Sequence, residues 1–469
     1  MSVKRTTGPK TCTARACGAL NREIERARAC AVQRSTMPRL CARSPLTAAP
    51  SRPTSAPRYA VLLSAVLFLH GLWATEAHAE TKAQTERLDG LSKADLALLA
   101  PELARGPIAL IEFADTERDQ LPAVNIAVPI QASAEAVARV LTDPAAFPKF
   151  MPTLDRVEIV AKHDNSVVYD WAFNLAILRM RGRNQMTIYP GRGPDNARST
   201  RVTIDSLEGD LGQGRMVFRV QPSGDKSSLL VVSLRLDLRE ANYVARQVAK
   251  AGRSVNRSAN IALAFSMALH TQLEAERIEK YVRPARELNA THKPEVQLAR
   301  VASLLQRGDL LLFEARDATL EQVSVLGIVS KDVDTVQQVM RDAKGFGSSL
   351  VPGSKAEVIS KKDAITTFDW VIGLPLVGIS GQMRLQDEGQ RLAIEATSGA
   401  LTGGRWWFEA TPIARDATLV TGWARFDFQN SVWLLEKLVA ADAYLGHGIA
   451  GASELMLLRA VRSRAYKHK

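Results

Sequence analysis

Two stretches of the chain carry the same succession of apolar and polar patterns. Each begins with an alternating segment typical of a strand and continues with a short segment whose apolar residues have helical spacing. Further alternating segments, separated by Gly, Pro, Asn and Asp turns, predict six more strands in each stretch. A long segment with helical periodicity closes each stretch. The first strand, short helix and closing helix are predicted at Val124–Ile130, Ala134–Leu141 and Ser258–Tyr281, and again at Val323–Val329, Val333–Arg341 and about 434–465.

The two stretches also share residue identities in the same order. Tyr169-Asp170-Trp171 recurs as Phe368-Asp369-Trp370 at an offset of 199 residues, and the glycines and arginine of 209–215 recur in 399–405 at an offset of 190. The offset falls by nine where the first stretch carries the additional turn Pro190–Ser199. Five such blocks with one localised gap indicate a duplicated domain. Each copy, at about 150 residues, is long enough to fold around its own core.

The order of elements predicts the fold class. One strand, a short helix, a run of antiparallel strands and a long closing helix define an α+β domain. We expect a curved antiparallel sheet wrapped around the closing helix in each copy. A twisted sheet cannot lie flush against a straight helix along its whole length, so an apolar cavity is expected between the two.

The N-terminal segment has the pattern of an export signal. Arg58 precedes an apolar run from Tyr59 to Trp73, and Ala77-His-Ala79 follows as a small-x-small cleavage site. We therefore expect a signal peptide at 58–79 and an exported protein that is periplasmic or associated with the cell envelope. An uncleaved anchor is the alternative, although the run is shorter than a typical membrane span. Residues 1–57 lack apolar periodicity and are interpreted as an unstructured extension or as sequence ahead of the true start, for which Met37 is a candidate.

The charge and the cysteines belong mostly to this N-terminal segment. Residues 1–79 hold 12 basic and 3 acidic residues, which leaves 49 basic and 46 acidic residues for the rest of the chain. With nearly equal numbers of basic and acidic residues, this part of the chain lacks the excess of positive charge that nucleic-acid binding requires. No nucleic-acid partner is therefore expected. All four cysteines precede residue 50, so no disulfide, Cys-ligated zinc or Cys nucleophile is expected beyond residue 80.

This element order, with the segment Asp143-x-x-x-Phe147-Pro-x-Phe150-Met-Pro152 after the first helix, resembles the START-like superfamily, also called SRPBCC or helix-grip. Within it, the polyketide cyclase/dehydrase and coenzyme Q-binding branch is the most similar. The second copy departs from the pattern at Gly345–Pro352, which lacks the first two prolines. The resemblance implies two tandem helix-grip domains, each with a pocket for a hydrophobic ligand under its long helix, and often no catalysis.

The resulting division of the chain has six parts. The extension (1–57) and the signal peptide (58–79) precede a leader with a short helix (80–121). The first START-like domain (122–282) and the second (323–466) are joined by a connector with a helix (283–322). We call 122–282 the first repeat and 323–466 the second repeat.

Strand alternation selects candidate pocket residues on the sheet face that looks toward the closing helix. The alternative interpretation of the same apolar residues is ordinary core packing. Arg215 and Asp237 fall on the opposite face, where a hairpin centred near residue 226 would set them side by side as a cross-strand ion pair. The candidate ligand-binding residues are Trp171, Phe173, Met216, Phe218 and Phe265 in the first repeat and Trp370, Ile372, Trp406 and Phe408 in the second.

Neither a metal site nor a catalytic set is predicted. The five histidines beyond residue 80 form no HExxH motif and no i,i+4 pair, and no nucleophile motif accompanies them. No cofactor is expected. Candidate acid–base groups for a reaction in a pocket are limited to Tyr169, Asp205, Tyr243 and His270.

Three functions fit these observations. The first is binding or transport of a hydrophobic small molecule, a lipid or isoprenoid quinone, in the cell envelope, with a membrane surface as a possible partner. The second is a cyclase or dehydratase acting on a polyketide-like substrate. The third is an interaction module whose pockets are filled by its own side chains. A cavity below about 300 Å³ would favour the third.

Overall fold

The structure is a computed structural model. It describes residues 88, 90–113, 121–175, 178–191, 199–243, 246, 253–284, 290–316, 319–350, 353–373, 378–426, 428 and 433–468. The predicted signal peptide, the extension before it and most of 80–89 lie outside the described residues. No helix among the described residues is both long enough and apolar enough to cross a membrane.

The first half contains helices α1–α4 and strands β1–β8. Helices α1 (Lys93–Leu98) and α2 (Ala100–Leu103) precede β1 (Ile108–Glu112), β2 (Val124–Ile130) and α3 (Ala134–Thr142). A 3-10 turn (Pro144–Lys149) leads into β3 (Leu154–Lys162), β4 (Ser166–Leu175), β5 (Leu178–Pro190) and β6 (Thr200–Gly209). Strands β7 (Gln213–Pro222) and β8 (Ser228–Asp237), a second 3-10 turn (Leu238–Glu240) and α4 (Arg253–Ile278) complete it.

The second half repeats this order. Helix α5 (Leu298–Arg307) runs directly into β9 (Gly308–Arg316), and β10 (Thr319–Val329), α6 (Val333–Arg341) and α7 (Ala343–Gly347) follow. The strands β11 (Lys355–Lys362), β12 (Ile365–Gly373), β13 (Gly378–Asp387), β14 (Arg391–Gly399), β15 (Arg405–Ala414) and β16 (Ala417–Arg425) come next. Helices α8 (Trp433–Ala441) and α9 (Ala443–Lys467) close the chain.

Local capping explains where the short helices begin. Helix α3 starts after Ser133, whose hydroxyl accepts the Ala136 N–H at 3.2 Å. Helix α6 starts at the corresponding place after Asp332, whose carboxylate accepts the Thr335 N–H at 2.8 Å. Each cap satisfies a backbone donor that the first turn of a helix leaves unpaired. The two repeats therefore start their first helix by the same device with different residues.

All sixteen strands belong to one antiparallel sheet, in the order β11-β12-β13-β14-β15-β16-β10-β9-β1-β2-β8-β7-β6-β5-β4-β3. The two repeats meet where β1 pairs with β9, with Leu110 opposite Leu310 and Ile108 opposite Leu312. This corrects the expectation of a separate sheet in each repeat. The leader and the connector, for which only helices were predicted, each supply a strand to the junction.

The junction strands lack alternation because both of their faces are covered. Ile108, Leu110, Leu310 and Leu311 are all at most 1 % exposed. Helices α1, α2 and α5 pack on one face through an apolar cluster that includes Leu99, and the main core lies on the other face. A strand buried on both faces is continuously apolar and gives no period-two pattern.

The closing helices lie on the main-core face in matching register. Gln272 Nε2 of α4 donates to the Pro129 carbonyl oxygen at 2.8 Å, and Arg462 Nε of α9 donates to the Ile328 carbonyl oxygen at 3.1 Å. The two helix positions differ by 190 residues and the two strand positions by 199, which are the offsets of the repeat. Position 267 on α4 therefore corresponds to position 457 on α9.

The two long helices also pack against each other. A methyl group on Gly448 of α9 would lie 2.4 Å from the Ala262 Cα of α4, so the glycine permits a close crossing. The sequence predicted one continuous closing helix at about 434–465, but Asp442 interrupts it and divides it into α8 and α9. Asp442 has an extended backbone, and its carboxylate accepts the Tyr444 N–H at 2.9 Å and caps α9.

Candidate ligand pockets

The first repeat holds a small cavity between the sheet and α4. Its volume is about 110 Å³. The wall combines aromatic and aliphatic side chains from the strands with Leu263 and Met267 of the helix. Its polar residues are Tyr169, Asn184, Ser206 and Arg215. Residues on its wall include Phe147, Met151, Leu154, Trp171, Phe173, Ile204, Leu211, Met216, Leu234 and Leu236.

The second repeat holds a larger cavity in the corresponding place, which we call the α9 pocket. Its volume is about 190 Å³. None of its described lining residues is ionisable, and apart from indole nitrogens the only polar side chains are Ser258 and Ser453. The lining residues are Ser258, Leu350, Trp370, Ile372, Ile379, Met383, Ile394, Leu401, Trp406, Leu435, Ile449, Ala452, Ser453, Met456 and Leu457.

Both cavities lie below the volume of about 300 Å³ from which small-molecule sites usually start. The α9 pocket is comparable to the engineered apolar cavities of about 150 Å³ that stay dry and accept a benzene molecule. It therefore has room for one ring or for the end of a hydrocarbon tail. The first cavity is smaller and more polar.

In each repeat a tryptophan of the cavity wall stands opposite a glycine on the next strand. Trp171 of β4 stands opposite Gly182 of β5, and Trp370 of β12 stands opposite Gly381 of β13. A methyl group on Gly182 would lie 2.5 Å from Trp171 Cζ2, so only glycine leaves room for the indole to lie across the neighbouring strand. The sequence comparison identified the two tryptophans but not the two glycines, although these also recur at an offset of 199.

The indole nitrogens of Trp171, Trp370 and Trp406 are buried, and none has a hydrogen-bond partner among the described residues. Buried tryptophan N–H groups normally find an acceptor. Trp370 and Trp406 both line the α9 pocket, but their nitrogens are among these buried atoms.

Of the nine residues predicted to contact a ligand, six line a cavity and three do not. Trp171, Phe173 and Met216 line the first cavity, and Trp370, Ile372 and Trp406 line the α9 pocket. The other three, Phe218, Phe265 and Phe408, are at most 1 % exposed and belong to the packed core.

These three residues are packed against other elements. Phe218 and Phe408 lie on β7 and β15, which pack against the short helices α3 and α6. Phe265 of α4 packs on Phe313 of the junction strand β9, with ring centroids 4.1 Å apart. The expectation that these three residues would line a pocket is corrected accordingly.

The acid–base candidates do not assemble into a pair. Tyr169 lines the first cavity, where burial raises the pKa of its phenol to about 12 despite an Asn184 Nδ2 group 3.4 Å from its oxygen. Asp205 is engaged by Arg215, whose Nη2 lies 3.0 Å from Oδ2. Tyr243 is 69 % exposed, and His270 lies between the closing helices. Of the four, only Tyr169 lines a described cavity, and among the described residues no three His, Cys, Asp or Glu side chains are placed to hold a metal ion.

The predicted Arg215–Asp237 ion pair is not formed. Strands β7 and β8 set Gln213 opposite Asp237, two residues away from the expected register, and Asp237 binds Arg239 instead. Arg215 turns to Asp205 on β6, the neighbouring strand on its other side. The second repeat keeps this arrangement, with Arg405 Nη2 3.0 Å from Glu395 Oε1 at the aligned positions.

A buried polar cluster joins the two closing helices. The Ser266 hydroxyl of α4 donates to Asp442 Oδ2 at 2.5 Å, and His270 Nε2 lies 3.0 Å from Asp442 Oδ1. Burial favours the neutral form of Asp442, but the adjacent His270 and the hydrogen bonds from Ser266 and the Tyr444 N–H outweigh it and hold the carboxyl pKa below its ordinary value. Both Ser266 and His270 bind the carboxylate rather than each other, so the cluster lacks the nucleophile–base contact of a catalytic triad.

Two further ionisable groups are buried along α9. Glu454 is fully buried with neither carboxylate oxygen hydrogen-bonded within the described structure, and burial raises its pKa well above the ordinary value. Burial lowers the pKa of His447 to about 4, although the Ala443 carbonyl oxygen lies 3.1 Å from its Nδ1. His447 is therefore neutral near pH 7, and burial favours the protonated form of Glu454. The position on α4 that corresponds to Glu454 is Ala264, so the buried acid belongs to the second repeat alone.

The architecture is that of an α+β protein built from two tandem repeats with the same order of elements. No protein-family model and no curated protein matches the chain. Solved structures similar to it include a START superfamily protein from Mycobacterium smegmatis and two di-domain ARO/CYC proteins.

Three of these structures show the different kinds of protein to which the chain is similar. The Zhui aromatase/cyclase from Streptomyces sp. R1128 is 20 % identical over 33 % of this chain and 93 % of its own, with a TM-score of 0.29. The di-domain ARO/CYC StfQ from the steffimycin biosynthetic pathway is 13 % identical over 73 % of this chain and 98 % of its own, with a TM-score of 0.26. A STAR-related lipid transfer protein from Xanthomonas axonopodis is 12 % identical over 36 % of this chain and 94 % of its own, with a TM-score of 0.29. At this level of similarity no ligand or reaction carries over to this chain.

Proposed function

We propose that the chain binds an apolar small molecule in the α9 pocket and that it acts by binding rather than by catalysis. The observation that carries the proposal is the lining of this pocket, in which none of the described residues is ionisable and nearly all side chains are hydrocarbon. Such a wall holds a guest by removing its apolar surface from water. At about 25 cal/mol per Å², a guest that buries about 200 Å² would gain about 5 kcal/mol.

The volume restricts what the guest can be. With about 190 Å³, the pocket accepts a single ring or the end of an acyl or prenyl chain, and the rest of a longer molecule would extend out of the cavity. We propose a lipid or an isoprenoid quinone as the class of guest. The proposal takes the strands of each repeat to curl around their closing helix, which leaves the gap that the guest enters. It places the protein in the cell envelope, because residues 58–79 have the pattern of an export signal.

For the first repeat, the small volume of its cavity favours a structural role rather than ligand binding. Its cavity of about 110 Å³ is only a third of the usual lower limit for a ligand site. We propose that this repeat is filled by its own side chains and supports the second repeat through the shared sheet and the α4–α9 contact. A cyclase-type reaction would need an acid–base pair within hydrogen-bond reach, and Tyr169 is alone in that role.

The experiment is a binding titration of the purified full chain with the fluorescent hydrophobic probe N-phenyl-1-naphthylamine, together with native mass spectrometry of the protein as isolated. The matched variants are Leu457→Trp and Met267→Trp, which fill the α9 pocket and the first cavity at corresponding helix positions. We expect Leu457→Trp to abolish probe binding and Met267→Trp to leave it within twofold of the unmodified chain.

Two results would contradict the proposal. The first is the absence of any probe binding together with no lipid or quinone in the mass spectrum. The second is loss of binding in Met267→Trp with retention in Leu457→Trp, which would assign the site to the first repeat. Far-UV circular dichroism of both variants establishes that each is folded.

A further inference from the structure

We infer that the outer face of the second repeat binds a phosphate-type oxyanion between Arg405 and Arg425. The outer face is the side of the sheet that points away from α9. The site is therefore separate from the α9 pocket and does not depend on the proposed function. Two sources offer a group of this chemistry: the headgroup of a lipid and a free phosphate ion.

Four charged side chains stand in one row across neighbouring strands. They point away from the main core, because the residues that alternate with them along the strands, such as Trp406, are buried in it. The row therefore places three cations and a single acid on the outer face. In order from β13 to β16, each directly opposite the next, its members are Arg384, Glu395, Arg405 and Arg425.

Glu395 shows how an anion is held in this row. One of its carboxylate oxygens is bound by Arg384, and the other accepts from Arg405 Nη2 at 3.0 Å. On the other side of Arg405 the row continues with Arg425, which has no ion-pair or hydrogen-bond partner among the described residues. Like charges directly opposite each other on neighbouring strands destabilise a sheet. An anion bound between Arg405 and Arg425 would remove this repulsion as Glu395 does one strand away.

Both guanidinium groups are accessible to a ligand. The Arg405 side chain is 60 % exposed and lines an open depression of about 200 Å³ on this face, and Arg425 is exposed as well. Side chains opposite each other on antiparallel strands have Cβ atoms about 5 Å apart, so two arginines can reach one oxyanion. Arg405 engages Glu395 through Nη2 alone. Since a guanidinium carries five N–H donors, others remain for phosphate oxygens.

The first repeat contains the same arginine pair but compensates it internally. At the aligned positions Arg215 stands opposite Arg235. The negative charge of Glu112 acts on Arg235, and the Arg215 side chain is only 12 % exposed. The residue aligned with Glu112 in the second repeat is Glu314, which instead lies 3.5 Å from a nitrogen of His292. Only the second repeat therefore presents the pair to solvent.

The test is a calorimetric titration of the full chain with inorganic phosphate at low ionic strength, with chloride as the other anion. Arg405→Gln and Arg425→Gln each remove one member of the pair. The matched control is Arg415→Gln, which removes one positive charge from the exposed turn between β15 and β16. Urea unfolding in chloride establishes that each variant is folded, and Arg425→Gln should be at least as stable as the unmodified chain because it removes a like-charge contact.

We expect the unmodified chain to bind phosphate, with affinity about tenfold lower in Arg405→Gln and in Arg425→Gln. A tenfold loss corresponds to one charge-assisted hydrogen bond. The affinity of Arg415→Gln should stay within twofold of the unmodified chain. Arg425→Lys keeps the charge but not the planar fork of donors, so its affinity should lie between those of Arg425→Gln and the unmodified chain.

Sedimentation with lipid vesicles distinguishes the two sources. Binding to vesicles of phosphatidylcholine with phosphatidylglycerol, but not to phosphatidylcholine alone, that is lost in Arg425→Gln and kept in Arg415→Gln would assign the lipid headgroup. Binding of inorganic phosphate without binding to either vesicle would assign the free ion.

Two results would overturn the inference. One is the absence of binding to phosphate and to both kinds of vesicle. The other is an equal loss of binding in Arg415→Gln and Arg425→Gln, which would show that net charge rather than the arginine pair attracts the anion. Neither result bears on the α9 pocket, which the titration with the hydrophobic probe tests separately.

Discussion

Filling the α9 pocket from its own helix should stabilise the ligand-free protein. Ala452 lines the pocket, so Ala452→Leu would place three additional carbon atoms in space that no side chain occupies. At about 0.8 kcal/mol per buried methylene, the gain is about 2.4 kcal/mol. Fixing the leucine rotamer offsets about 0.5–1 kcal/mol of this gain. Alanine and leucine are both good helix formers, so the free energy of unfolding should rise by about 1.5 kcal/mol.

The matched control lies two residues earlier on the same helix. Ala450 is fully buried but lines no part of the α9 pocket, so Ala450→Leu overpacks a solid core and should lower the free energy of unfolding by about 1–3 kcal/mol. The assay is urea unfolding of the full chain, followed by tryptophan fluorescence. An m-value that stays constant across the variants is needed for the comparison.

The two substitutions are expected to change the free energy of unfolding in opposite directions, so their comparison can refute the existence of the pocket. If Ala452→Leu destabilised the protein as much as Ala450→Leu, the space beside Ala452 would be filled in solution and the pocket would not exist. Ala452→Leu should also abolish the stabilisation that N-phenyl-1-naphthylamine confers on the unmodified chain, since a bound guest stabilises only the folded state.

Other predictions concern the buried polar groups. Because the pKa of Glu454 is raised in the folded state, the free energy of unfolding should fall as pH rises from about 4.5 toward that pKa. The loss should reach up to about 1.4 kcal/mol per pH unit. Glu454→Gln should remove this slope in urea titrations between pH 5 and 8. A slope identical to that of the unmodified chain would show that Glu454 has a partner in solution. Asp442→Ala removes the cap of α9 and the partner of Ser266 and His270, so it should lower the free energy of unfolding by about 3 kcal/mol. A loss below about 1 kcal/mol would contradict a structural role for this cluster.

The sequence was most informative where the duplication could be read from residue identities. The aligned blocks predicted the order of strands and helices in both repeats and gave the 199 and 190 offsets that α4 and α9 then follow in space. The leader and the connector were predicted to lie outside the sheets. These segments contribute to β1 and β9, whose apolar residues are buried on both faces and show no alternation.

The lining of the pockets could be predicted only in part, because alternation gives the face of a strand and not the contacts along it. Phe265 was placed correctly on the inner side of α4, but it meets Phe313 from a strand assigned to the connector. Arg215 was predicted on the face opposite the pocket with Asp237 as its partner, but the β7–β8 register differs by two residues, and Arg215 pairs with Asp205 and contributes to the wall of the first cavity. Cavity volume depends on how all of these side chains pack together, which no local pattern contains.

Xenon binding in crystals of the full chain tests the central claim most directly, because xenon enters dry apolar cavities without needing the natural guest. The account predicts a xenon peak in the second repeat, bounded by Ile394, Ala452 and Leu457. Crystals that take up xenon elsewhere but show those three side chains in mutual contact, with no peak between them, would contradict it.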